Sequence, residues 1–170
     1  MDALFQTQSN ELSTITQKEK LFKDAERQWN TLSSEKGAPG RKVDFEIYKS
    51  ILYNLEIRKV YLDSKLSLEK FSSIVGTNTT YLSNAVNNYF GCNFKQLINR
   101  YRIEYAKSLL LENKCPVSSL FKECGFVSQS VFYVAFHKVV GTSPLQFLFK
   151  HRQNTEKDLK SFYDNNILSF

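Results

Sequence analysis

The chain has 170 residues, 42% hydrophobic and 14% aromatic, a composition that suits one globular domain with an appendage and excludes a disordered polypeptide. It has no run of about 18 apolar residues and no charged-then-apolar leader, so neither a membrane helix nor a secretory signal is expected. The net charge of +6 is confined to one segment: between Leu68 and Arg152 ten basic residues stand against four acidic ones, and elsewhere the signs balance. That localisation points to a polyanionic partner, nucleic acid first. Cys92, Cys115 and Cys124 are odd in number and lack zinc-type spacing. They are expected to be free thiols in a reducing cytoplasm, and no metal or cofactor is expected.

In chain order, Leu21, Phe22, Ala25, Trp29 and Leu32 recur at helical spacing and predict a charged amphipathic helix, docked on its own domain by default or serving as a dimerisation stripe. The stretch SSEKGAPGRK (33–42) holds Gly37, Pro39 and Gly40, which reads as a linker and sets off residues 1–42 as an N-terminal appendage. Beyond it, Phe45, Tyr48, Ile51, Leu52 and Leu55 predict a second helix, with Asp44 placed to cap it. In DSKLSLEKFSSIVG (63–76) a short break precedes a short helix that begins after Ser67. Nothing alternates with period two, and hairpin turn dipeptides are absent, so the chain reads as all-α.

Two stretches repeat one pattern: GTNTTYLSNAVNNYFG (76–91) and GFVSQSVFYVAFHKVVG (125–141). With Asn78 set against Ser128, both suited to helix N-caps, Leu82 pairs with Phe132, Ala85 with Ala135 and Val86 with Phe136. Upstream, Leu68 and Phe71 precede Gly76 at the spacing at which Val117 and Leu120 precede Gly125. Each unit is a short helix, a glycine turn and a second helix with a small polar start. That is the pattern in which the second helix enters the DNA major groove. Between the copies, NFKQLINRYRIEYAKSLLLEN (93–113) carries the stripe Leu97, Ile98, Tyr101, Ala106, Leu109 and Leu110. A helix of about 20 residues spans about 30 Å, close to the roughly 34 Å between successive major-groove faces. It is expected to hold two reading heads one DNA turn apart.

RIEYAKSLLLENKCPVSSLFKECGFVSQSVFYVAFHKVVGTSPLQF (102–147) resembles the DNA-binding domain of the AraC/XylS transcriptional regulators. The likeness rests on the Ala106–Leu109–Leu110 spacing, Val117, Gly125–Phe126, Ser130, Phe132, Phe136, Gly141 and Pro144. LDSKLSLEKFSSIVGTNTTYLSNAVNNYFGCNF (62–94) is similar to the first subdomain of many Bacteroidetes members; residues 1–65 as a whole carry no such match. The resemblance implies a DNA-binding domain over 43–152. Its first helix-turn-helix would span about 67–91, the connecting helix about 94–113 and the second helix-turn-helix about 117–141, with a tail at 153–170. It implies a cytoplasmic, sequence-specific bacterial regulator with double-stranded DNA and RNA polymerase as partners. Base reading falls to Thr80, Ser83 and Asn84 in the first head and to Ser130, Tyr133 and Val134 in the second. Asn84 is the strongest of these, because an Asn can bond adenine bidentately.

Lys95, Arg100, Arg102, Lys138, Lys150 and Arg152 are candidate phosphate contacts. The helix starts at Asn78 and Ser128 offer backbone N–H groups for the same task. Two departures from the family pattern stand out. The second recognition helix is expected to lack the Arg and Gln that read bases strongly, leaving Val131, Tyr133 and Val134 for thymine methyls and little else, so the second head is expected to anchor phosphates more than to choose sequence. Phe121 stands where the family usually has Ala.

Catalysis is not expected. His137 and His151 are the only histidines, and neither sits at a recognisable spacing from a Cys, Ser or Asp partner. No ligand-sensing barrel fits in the first 65 residues. The chain is therefore either a small stand-alone regulator or the output segment of a larger sensor. In the second case the helix around Trp29 would couple to a sensor domain or form a homodimer. The tail TEKDLKSFYDNNILSF brings Phe162, Tyr163, Leu168 and Phe170 to dock on the domain or a partner, or to fray.

Overall fold

The computed structural model describes residues 2–35 and 42–152, with side chains placed over 13–31 and 44–152. Every regular element among them is helical. The chain divides into two compact units, Met1–Ile98 and Asn99–Phe170.

In the first unit, α1 (Asp2–Glu35) packs on α2 (Lys42–Leu52). Ala25 and Trp29 are buried with Tyr48 and Leu52, and Leu21, Phe45, Tyr89 and Phe90 close around them. Residues on both sides of the boundary expected at 42 therefore share one core. The two helices reach into both ends of the expected linker, and 36–41 lie outside the described residues, as does the side chain of Leu32. Asp44 stands in the first turn of α2 and not at its cap, because the helix starts at Lys42. Its carboxylate accepts a hydrogen bond from the Tyr89 hydroxyl at 3.3 Å.

Helix α2 runs on into a π-helical turn, Tyr53–Ile57. The buried Asn54 explains the widening. Its side-chain amide donates to the Ser50 carbonyl at 2.9 Å, the acceptor an α-helix would reserve for its backbone N–H. A 3-10 turn, Val60–Leu62, leads to Asp63, whose carboxylate accepts from Lys70 and from the Lys65 N–H. Those bonds, Lys70 first, hold the Asp63 carboxyl below the usual carboxylate range.

Next come α3 (Leu68–Val75) and α4 (Thr79–Phe90), which pack on each other. Ser67 caps α3 by accepting from the Lys70 N–H at 3.1 Å. Leu82, Ala85 and Val86 are the buried face of α4.

Helix α5 (Phe94–Leu111) starts in the first unit and continues into the second. It stops two residues short of the expected end. Asn113 takes a left-handed φ of 51°, and the Lys114 N–H turns back to the Leu109 carbonyl at 3.1 Å, a left-handed helix stop. In the second unit α6 is only Leu120–Glu123, followed by α7 (Gln129–Val140) and α8, described over 144–152. The residues from 117 to 119, expected as helix, form a turn in which the Ser119 N–H reaches the Pro116 carbonyl at 3.0 Å. Ile103, Ala106, Leu110, Leu120, Cys124, Phe126, Phe132 and Phe136 build this unit's core, and Phe121 packs half-buried at its edge. Burial pushes the Cys124 thiol up to about 12, so it behaves as a small apolar side chain. The tail from 153 to 170, with Phe162, Tyr163, Leu168 and Phe170, lies outside the described residues.

Candidate nucleic-acid interface

The two copies of the repeat fold alike in local detail. Asn78 Oδ1 accepts from the Tyr81 N–H at 2.9 Å, and Ser128 Oγ accepts from the Val131 N–H at 3.4 Å. Each cap satisfies one N–H of the first turn and leaves others, at Thr79 and Thr80 and at Gln129 and Ser130, without an i−4 carbonyl. Such N–H groups attract anions. At the far ends Gly91 and Gly141 take φ of +64° and +79°, a left-handed stop that a side chain would strain.

The likeness continues past the glycines. Asn93 and Gln96 exchange bonds at the start of α5, Gln96 N–H to Asn93 Oδ1 at 2.9 Å and Asn93 N–H to Gln96 Oε1 at 3.0 Å. Ser143 and Gln146 do the same at the start of α8, at 3.3 and 3.2 Å. These are reciprocal capping boxes fifty residues apart. Their N-x-x-Q and S-x-x-Q spacing is visible in the sequence.

The caps and the buried stripes decide which face each helix presents. On α4, Thr80 and Asn84 are exposed and Ser83 is half-buried. On α7, Ser130 is exposed, Val134 is 71% exposed and Tyr133 is half-buried, its ring edge-on to Phe132 with centroids 5.6 Å apart. The six expected base readers thus fall on equivalent positions of the two helices, with Ser83 and Tyr133 at the margin. The same faces carry residues the sequence reading did not list: Tyr81, Asn87 and Asn88 on α4, and Gln129 and His137 on α7, all exposed. Gln129 corrects the expectation that the second helix lacks a Gln. It is the first residue of α7, directly before the expected reader Ser130.

Among the expected phosphate contacts, Asn78, Lys95, Arg100, Lys138, Lys150 and Arg152 are exposed and Ser128 is half-buried. Arg152 also donates to Asn113 Oδ1 at 3.3 Å. Arg102 is placed differently. It is 8% exposed, with its guanidinium 5.3 Å from the centre of the Phe126 ring. A cation–π contact inside the second unit occupies it, and it drops out of the phosphate set. Lys107 and Lys114 are paired with Glu104 and Glu112 at 2.7 and 2.5 Å.

Among the described residues no group of three or more His, Cys, Asp or Glu side chains could hold a metal ion, and no helix is long and apolar enough to cross a membrane.

Comparison with known proteins agrees with this geometry. Residues 71–149 match the family model described as a helix-turn-helix domain. The "Probable transcriptional regulator LumQ" of Photobacterium leiognathi is 32% identical over 89 residues, 52% of this chain and 36% of that protein. The "HTH-type transcriptional activator RhaR" of Escherichia coli K12 is 27% identical over 97 residues, 57% and 33% of the two chains. The chain thus spans about a third of the length of these relatives. Among solved structures, the C-terminal domain of AraT, a response regulator from Geobacillus stearothermophilus, aligns with a TM-score of 0.55 at 28% identity, covering 62% of this chain and 84% of that one. Over residues 71–149, then, the chain is similar to proteins that carry a helix-turn-helix domain.

Proposed function

We propose that this chain is a sequence-specific, double-stranded DNA-binding transcriptional regulator whose helices α4 and α7 occupy successive major grooves. The observation that carries the reading is the doubled reading face: two helices with matching caps, matching glycine stops and matching exposed positions, on the basic part of the chain. Thr80, Ser83, Asn84, Ser130, Tyr133 and Val134, now with Gln129, read bases. Asn78, Lys95, Arg100, Ser128, Lys138, Lys150 and Arg152, through side chains or helix-start N–H groups, hold phosphates. RNA polymerase is the partner that transcriptional control requires.

Selection from a randomised duplex pool tests this. Two enriched blocks about 10 bp apart are expected, with affinity falling steeply as salt rises. Asn84→Ala should cost about 1–3 kcal/mol of discrimination at one base pair of a single block and leave the other block unchanged. A pool that emerges without enrichment would overturn the reading.

A second role is proposed for α1. Its residues 13–20 are all exposed, Ile15 at 54%, while Ala25 and Trp29 are buried beside Tyr89 and Phe90 of α4. A second copy or a sensor domain gripping the exposed stretch would pull directly on the first reading helix.

A further inference from the structure

Val127, Val131 and Val134 are 77%, 49% and 71% exposed. Two lie one turn apart on α7 and the third stands just before its cap. Nothing in the second unit's own stability calls for them, since Phe132, Ala135 and Phe136 already supply the buried face of that helix. Within α7, valine at 131 and 134 is also a poorer helix former than Arg, Lys, Gln or Glu would be. The equivalent positions of the first copy hold Thr77, Tyr81 and Asn84. Each of those carries a hydrogen-bonding group, and none of the three valines does. The two reading faces are thus alike in shape and opposite in chemistry.

We propose that the second recognition helix reads thymine by its C5-methyl group, through Val127, Val131 and Val134, with Gln129 supplying the adenine contact. The inference rests on the DNA-binding reading above and names the chemistry of one half-site. In the major groove the thymine methyl is the apolar group that a branched aliphatic side chain can desolvate, whereas every other base edge offers donors and acceptors that valine cannot meet. Gln129 heads the same helix and can bond adenine N6 and N7 together, so the two residue types converge on A·T pairs. The setting favours DNA over a protein partner. The valines are flanked by Ser128, Ser130, His137 and Lys138, and they stand at the end of α7 whose N–H groups attract anions.

Replacing thymine by deoxyuridine removes the methyl and keeps every hydrogen-bonding group, so it isolates the proposed contact. The probe is the duplex recovered from the randomised pool, with the thymines of one block at a time replaced. In the block read by α7, each methyl removed is expected to weaken binding about fourfold, the worth of one buried methyl group. In the block read by α4 the same change should be close to silent. In a Val131→Ala/Val134→Ala variant the uracil penalty should shrink to what Val127 alone contributes, as coupling between contacting groups requires. Both positions are exposed, so an unchanged unfolding midpoint is expected to show that this variant keeps its fold.

An α7 block without thymine would overturn the proposal. So would equal affinity for the uracil duplex while base selectivity persists; the valines would then be a surface for a protein partner, and the DNA-binding reading would stand. Loss of all sequence selectivity in the parent protein would remove both.

Discussion

Trp29→Ala is expected to destabilise the protein by about 3–5 kcal/mol, the usual cost of truncating a large buried aromatic side chain. Trp29 is 6% exposed, and its ring lies 4.6 Å from Tyr89, 5.4 Å from Phe45 and 5.7 Å from Tyr48, centroid to centroid. The three contacts come from two helices, α2 and α4, so the cavity would open between elements that Trp29 holds together. Tyr48 is held in turn by Gln28 at 2.8 Å, on the turn of α1 that carries Trp29. The consequence for function is specific. Tyr89 and Phe90 form the last turn of α4, and loosening them loosens the first reading helix. Urea titration should show the lost stability, and the pool experiment should show the α4 block degraded while the α7 block survives. A variant of normal stability would mean that α1 is an ornament on the domain.

Phe132→Ala should cost a similar 3–5 kcal/mol and injure the other head. Phe132 is fully buried, and its ring meets Phe126 at 5.4 Å, Tyr133 at 5.6 Å and Phe136 at 5.7 Å in edge-on arrangements. Aromatic pairs of this kind contribute beyond their buried area. The ring also stands beside the cation–π partner of Arg102, so its loss would reach a buried guanidinium. Selectivity should fail in the α7 block and persist in the α4 block. The two variants together form a crossed pair, each silencing one half-site, and a marginal domain has only about 5–15 kcal/mol to lose.

The repeat was legible in the sequence because its determinants are local. A cap, a glycine stop and a buried stripe at fixed spacing are each settled within a dozen residues, which is why Asn78, Ser128, Gly91 and Gly141 could be placed beforehand. The apolar stripes that build the first core were legible, but which residues meet in it was not. Trp29, Tyr48 and Tyr89 are brought together by chain closure across sixty residues, and no periodicity records it. Arg102 was misplaced for a related reason. Counting charge assigns every arginine to the surface, whereas this one lies over Phe126, twenty-four residues on. The short α6 and the early stop of α5 turn on Pro116 and on Asn113, whose left-handed backbone an Asn tolerates better than most residues. Gln129 is visible in the sequence one residue before Ser130, at the head of α7.

Two recognition helices reading one site is the central claim, and the spacing of the two blocks tests it most directly. Five base pairs inserted between them turn one block about half a helical turn away from the other. If both heads read bases from one chain, affinity for the lengthened duplex should fall about 100-fold, the worth of roughly two mismatched base pairs. If affinity is unchanged by the insertion, one head carries all the recognition, and the doubled reading face has some other purpose.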